Sequence, residues 1–324
     1  MIRPIKYLFL CVFPLAGLLA SCDDDESTYS YDANLISMIV ADNINLSKLN
    51  TAATRTGIYD LLLESGPYTL LAPSDAAFGL SGTDPSSAGQ TRLTKVISYH
   101  VLNGIYELDK LPFLFNQEIT SQDGGKLFVT HWVRNQDTIT TVNGAPISTY
   151  KMRASNGNIQ VIDRLLEPYE FDYLSDAISN ETELTLFNQA LQKTDLLGQL
   201  SKEGAYTVYA PNNAAMITYG LSTIESINGK SKDELEKLLR YHIVPDRRFV
   251  YDYILTTLAG NVTAETMVNG DNVAVTLIPD ANVPGTFKGI TLLGTNNTKA
   301  INLKRENILT GNGVLHIIDN VLLN

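Results

Sequence analysis

Tyr68-Thr-Leu-Leu-Ala-Pro-Ser-Asp-Ala-Ala-Phe78 returns 138 residues later as Tyr206-Thr-Val-Tyr-Ala-Pro-Asn-Asn-Ala-Ala-Met216. Each copy opens on aromatic, β-branched and aliphatic residues suited to a strand. Pro73 and Pro211 lack an N–H and cannot continue a central strand. Ser74 or Asn212 then offers a side-chain oxygen to cap a helix that begins at the next residue. The stretch predicts strand, stop, cap and helix start, which is a scaffold corner without a nucleophile, a metal-ligand set or a phosphate loop. Its interval is the size of a domain, not of a solenoid repeat, so the chain reads as two copies of one unit.

Two further blocks recur in the same order. Tyr99-His100-Val101-Leu102 answers Tyr241-His242-Ile243-Val244 at an offset of 142. Asn156-Gly157-Asn158-Ile159-Gln160-Val161-Ile162-Asp163 answers Asn312-Gly313-Val314-Leu315-His316-Ile317-Ile318-Asp319 at an offset of 156. The growing offset places insertions in the second unit, and Pro279–Gly289 has no counterpart in the first.

These three blocks resemble the signatures of fasciclin-type domains, over residues 33–168 and 171–324. The resemblance implies an α+β fold: two tandem fasciclin-like domains, each a β-strand wedge with several packed helices. It also implies an extracellular, adhesive or ligand-binding role and no catalysis. In animal members of that family the region around the Tyr-His pair is linked with receptor adhesion. Two positions depart from the pattern: Gln160 stands where the second copy has His316, and Met216 where the first has Phe78.

The 324 residues suffice for about two domains, and 44% hydrophobic residues give each a core. A net charge of −11 argues against nucleic-acid partners, which need basic patches, and against docking to anionic lipid through charge. Cys11 and Cys22 are the only cysteines, so neither domain can hold a disulfide.

The N-terminus reads as an address. Arg3 and Lys6 precede an uncharged apolar run, Tyr7 to Leu19, too short for an ordinary membrane span and fitting a signal-peptide core. Leu19-Ala20-Ser21-Cys22 resembles a bacterial lipoprotein cleavage box, which makes residues 1–21 the signal peptide and Cys22 the lipid attachment; an ordinary secretory signal is the competing reading. Cleavage there takes the charge from −11 to −13. Asp23-Asp24-Asp25-Glu26 resembles the surface-export signal of Bacteroidetes-type lipoproteins, within an acidic tether over 22–32. A solvated spacer or a calcium-attracting patch are the alternatives, though four adjacent carboxylates without a Gly turn are no EF-hand.

Within the first unit, Leu35, Met38 and Ile39, and then Ile58, Leu61 and Leu62, have helical spacing. A Gly/Ser-rich loop is expected over Gly79 to Gly89. Leu93, Val96, Ile97 and His100 share one helix face, matched by Leu235, Leu238, Leu239 and His242. Ser231-Lys-Asp-Glu234 reads as a capping box. Leu127 to Val133 alternates as a strand, and the Asn-Gly pairs at 143–144, 156–157, 269–270 and 312–313 read as hairpin turns. The closing strand of the first unit is expected from Ile159 to Leu166.

His100 and His242 fall at helix C-termini on apolar faces, where an imidazole can bond terminal carbonyls. Both read as buried and satisfied, with adhesive contact as the alternative. Asp163 and Asp319 read as turn-pinning carboxylates, and Pro73, Tyr99, Pro211 and Tyr241 as scaffold. Trp132, the single tryptophan, is either core packing or a platform for a sugar ring. No metalloprotease, serine-hydrolase, P-loop or dinucleotide motif occurs, so no catalytic residue, cofactor or metal is expected.

The resulting expectation is a lipid-anchored outer-membrane protein, exposed on the cell surface, that binds or adheres to host matrix, another cell or a protein partner. The alternative is glycan capture beside a TonB-dependent polysaccharide transporter. A hydrolase and a passive spacer are the remaining readings. Contact is expected at loops, at the cleft near Pro168–Tyr173 and at Pro279–Gly289.

Overall fold

The computed structural model describes residues 32–324. The strands of the first domain are β1 (Tyr68–Pro73), β2 (Val101–Asn103), β3 (Gln117–Thr120), β4 (Lys126–Arg134), β5 (Asp137–Val142), β6 (Ala145–Ala154) and β7 (Gly157–Ile162). Those of the second are β8 (Tyr206–Pro211), β9 (Ile243–Val244), β10 (Val262–Thr266), β11 (Asn272–Pro279), β12 (Phe287–Leu293), β13 (Ile301–Thr310) and β14 (Gly313–Ile318). The orders β2-β1-β7-β6-β5-β4-β3 and β10-β11-β12-β13-β14-β8-β9 are one topology read from opposite edges. In each domain the repeated corner strand pairs in parallel with the closing strand, β1 with β7 and β8 with β14.

Register shifts after Ile147 in β6 and after Leu303 in β13 bend those strands, and each sheet folds there into two leaves. Two cores follow. In the first domain Leu70, Phe78, Val96 and Ile159 pack under the helices. Leu71, Tyr99, Leu127, Val142 and Ile162 fill the wedge between the leaves. β1 is buried on both faces, which explains its continuous apolar run.

The corner forms as its residues dictate. The Ser74 hydroxyl accepts the Ala77 N–H at 3.2 Å and the Asn212 amide oxygen accepts the Ala215 N–H at 2.9 Å. The helix Asp75–Ser81 then stops at Gly82, which adopts φ +66°. Gly79, expected in a loop, is therefore helical. The helix Ile36–Asp42 buries Ile36 and Val40, one position off the expected stripe. Ser231 caps its helix, but the Glu234 carboxylate pairs with Lys230 at 2.8 Å instead of closing a box.

The closing strand of the first domain ends at Ile162, short of Leu166, because the Leu166 N–H donates to His100 Nε2 at 3.0 Å and so leaves the ladder. The Asn156-Gly157 and Asn312-Gly313 pairs are also not the turns. Ala154 faces Gly157 and Thr310 faces Gly313, so the turn residues are Ser155-Asn156 and Gly311-Asn312. Each asparagine is buried: Asn156 accepts the Ile36 N–H and donates to Leu62 O and Glu64 O. Asn312 likewise accepts the Leu174 N–H and donates to Leu200 O and Lys202 O.

Beyond the Tyr-His pair the insertions of the second unit are spread over three places. The β11–β12 connection has seven residues against two for β4–β5, and β12–β13 has seven against two for β5–β6. The third extension follows β9. Thr69 donates to Gly104 O and accepts the Tyr106 N–H; Thr207 donates to Asp246 O and accepts the Arg248 N–H. Those bonds align Gly104, Ile105 and Tyr106 with Asp246, Arg247 and Arg248. Beyond them the first domain closes its wedge with irregular chain and one turn, Leu108–Lys110, whereas the second forms the helix Val250–Thr256.

Candidate binding site at the domain seam

That extended segment of the second domain packs on β4 of the first. Leu127, Val129 and His131 face the first wedge, while Phe128 and Thr130 on the opposite face are buried too. The alternating pattern of β4 did not mark its outer face as covered, because the cover comes from another domain.

Phe128 joins Phe249, Leu309 and Val314 in a small core. The Arg247 guanidinium lies over the Phe128 ring, 3.6 Å from its centroid. It donates to Gly311 O and Gly313 O at 2.9 Å and to Thr310 O at 3.2 Å. Burial pushes its pKa down to about 10, so it stays charged at neutral pH. Next to it the Asp252 carboxylate, fully buried, accepts from the Phe249 N–H (2.8 Å), Thr130 Oγ1 (3.1 Å) and Asn116 Nδ2 (3.2 Å). Asn116 Nδ2 also donates to Arg247 O at 2.7 Å. Burial raises the Asp252 carboxyl to about 6, against the pull of its three donors. Phe128, Thr130 and Asn116 come from the first domain and the rest from the second, so the seam is a fitted polar and apolar contact.

Beside the seam an open cleft of about 810 Å³ runs along the inter-domain chain. Leu80, Arg92 and Asn143 form the first domain's wall, residues 164–171 the floor, and Glu181 with residues 305–309 the second domain's wall. Its charges are paired across short distances: Arg92 with Glu167 at 2.6 Å, Arg305 with Glu181 at 2.6 Å, and Arg164 with Glu306 at 3.5 Å, the last joining the two domains. Partial burial holds Glu167 and Glu306 above the usual carboxylate range despite the arginines. The arrangement can take a ligand with both charged and apolar groups. Among the described residues no three His, Cys, Asp or Glu side chains converge as a metal site.

The residues singled out from sequence lie mostly behind this surface. His100 bonds Val96 O through Nδ1 (2.7 Å) and accepts the Leu166 N–H at Nε2. His242 does the same with Leu238 O (2.9 Å) and the Leu322 N–H (3.0 Å). Both are fully buried, and burial lowers each to about 4. Tyr99 donates to Lys126 O and accepts from Asn143 Nδ2, and Asn143 lines the cleft. Tyr241 donates to Asn272 O. Asp319 accepts from the Asn302 N–H and amide at 2.9 and 3.0 Å, while Asp163 is exposed. Pro73 and Pro211 end their strands, buried. Trp132 is half-buried with its ring centroid 4.7 Å from that of Phe115. Cys22 lies outside the described residues. Arg247, Asp252 and Phe128, which build the seam, carry no motif; the one signal for them was the lengthened spacing after the second Tyr-His.

The family model described as Fasciclin domain matches residues 44–168 and 182–324. Human periostin is 28% identical over 274 residues, covering 80% of this chain and 28% of periostin, so the chain spans little more than a quarter of that relative. The Synechocystis protein sll1483 is 32% identical over 148 residues, 45% of this chain and 70% of that protein. A solved FAS1 domain pair from the insect cell adhesion molecule fasciclin I is similar over 86% of this chain and 97% of its own, at 17% identity and a TM-score of 0.42.

Proposed function

We propose, because this chain belongs to the fasciclin domain family and carries two of its domains in tandem, that it is an adhesion or ligand-binding module without catalytic activity, held on the outer membrane through lipid on Cys22 and facing outward. The observation that carries the binding role is the cleft of about 810 Å³ whose walls come from both domains. A site made jointly by two domains needs both copies and a fixed seam, and Arg247, Phe128 and Asp252 supply that seam. The ligand class this supports is a protein segment, since the cleft offers Arg–Glu pairs beside Leu80, Tyr169 and Leu309. Glycan capture at Trp132 draws less support, because Phe115 covers part of that ring.

Two measurements test the reading. Protease shaving of intact cells should remove the protein, and Cys22→Ala should release it from the envelope; protection from protease ends the outward-facing role. Glu306→Arg places two cations where the Arg164–Glu306 pair stands and leaves the domain cores intact. It should lower adherence of cells carrying the protein to a matrix-coated surface. Adherence equal to that of the unaltered protein removes the cleft as the site.

A further inference from the structure

The face that carries Arg247 in the second domain is covered by the first. Its equivalent on the first domain is not covered by any described residue. Arg247, 4% exposed, corresponds to Ile105, which is 52% exposed. The segment that begins there closes the first wedge. Tyr106 O takes the Gln160 amide on β7, and Leu111 O accepts from His131 Nδ1 on β4 at 2.5 Å. Between and beyond those two ties the chain reads Leu111-Pro-Phe-Leu-Phe115, with Phe113 52% and Leu114 55% exposed. Phe113 lies on the His131 ring at 4.6 Å, and Val133, two residues further along the same strand face, is 43% exposed. The mouth of the first wedge therefore presents large apolar side chains to its surroundings, a feature that marks a contact surface.

The position of this mouth identifies what it meets. The chain enters the first domain at Asn34, whose carbonyl accepts the Ser155 N–H. Asn156 O takes the Tyr68 N–H, and Pro67 O takes the Gly104 N–H. The entry point is thus joined by three successive backbone bonds to Gly104, the residue just before the apolar segment. Ten residues separate Cys22 from Ala33, a reach of at most about 35 Å. A chain anchored by lipid at Cys22 is held with this end of the first domain next to the bilayer. We infer that the wedge mouth of the first domain, through Ile105, Phe113 and Leu114, is a lipid-docking surface that sets the protein's orientation on its own membrane. The contact is apolar, since an acidic chain gains nothing from anionic headgroups. Docking by this end leaves the cleft, whose lining follows the opposite ends of β1 and β7, away from the membrane and free for a partner.

The inference rests on the anchoring reading only for where the chain is held, and the test separates the two. The full protein is attached to phosphatidylcholine vesicles through Cys22, by its own acyl chains or, where export leaves the thiol free, by a maleimide lipid. Amide hydrogen exchange is then compared between attached and free protein. Peptides covering 105–115 should exchange several-fold more slowly on vesicles, with β8 to β14 unchanged. Phe113→Ser combined with Leu114→Ser, both at exposed positions, should abolish the difference while the protein remains attached. Equal exchange of 105–115 in both states overturns the inference. So does a slowing already present in free protein at high concentration, which would assign the surface to a second copy of the chain.

Discussion

The guanidinium of Arg247 rests 3.6 Å from the centroid of the Phe128 ring, and through this stack the second domain grips the first. Arg247 is itself fixed by three carbonyls of the 310–313 turn. That turn ends in Asn312 and Gly313, part of the block that repeats from Asn156. A residue without a motif thus ties the repeated scaffold of one copy to the outer sheet face of the other.

Phe128→Ala removes a buried aromatic and opens the seam. We expect a loss of about 3–5 kcal/mol, with new protease sensitivity at Pro168–Tyr173 in native buffer. Phe128→Leu keeps the apolar contact and loses the cation stack, for about 0.5–2 kcal/mol. Chemical denaturation with limited proteolysis reads both. A Phe128→Leu variant as stable as the unaltered protein would mean that the stack contributes nothing beyond burial.

The scaffold was legible where local chemistry decides it. The Pro73 and Pro211 corners, the Ser74 and Asn212 caps and the face holding His100 follow from residues within one turn of each other. The seam was not legible, because Phe128 is on the outer side of a strand whose inner side already explains its pattern. Asn156 and Asn312 misled for a related reason. An Asn-Gly pair between strands is a strong turn signal, but here each asparagine is drawn one place back to bond the start of one helix and the end of another. Gly157 and Gly313 are glycines because a Cβ would meet Tyr68 O at 2.0 Å and Tyr206 O at 2.3 Å across the parallel pairing.

Three histidines set an acid limit on stability. His100, His242 and His316 are buried, and burial lowers each to about 4, against about 6.5 in the unfolded chain. Between those values the unfolded chain binds more protons. Their contribution is complete above pH 6.5 and is lost as pH falls toward 4, by up to roughly 3 kcal/mol each. His316 accepts the Asn307 N–H and bonds Arg248 O. Gln160 holds the matching place in the first domain, so His316→Gln should fold and should flatten the acid limb of stability against pH. An unchanged limb would place the acid sensitivity elsewhere.

Asp252 acts with the opposite sign. Its carboxyl stands at about 6 in the fold and at 3.8 as the ordinary value, so the native state binds the extra proton. Its stabilising share is complete below pH 3.8 and is lost as pH rises through 6, on the order of 2–3 kcal/mol. Asp252→Asn cannot titrate. Measured against it, the unaltered protein should gain relative stability as pH is lowered from 7 to 5. A difference between the two that does not vary with pH would mean that Asp252 titrates alike in both states.

Gly144 and Gly270 separate the seam from ordinary turn strain. Both have positive φ, +75° and +88°, and both lie in turns between strands. At Gly270 an added Cβ meets nothing within 4 Å, whereas at Gly144 it would lie 2.7 Å from Cβ of Phe249 in the other domain. Gly270→Ala should therefore cost only the left-handed backbone, about 1–2 kcal/mol. Gly144→Ala carries the same strain and also forces Phe249 away from Phe128. It should lower the melting temperature further and, unlike Gly270→Ala, expose the inter-domain chain to protease. If the two variants melt alike with the linker protected in both, Phe249 yields without disturbing the seam, and the close approach at Gly144 does not hold the domains together.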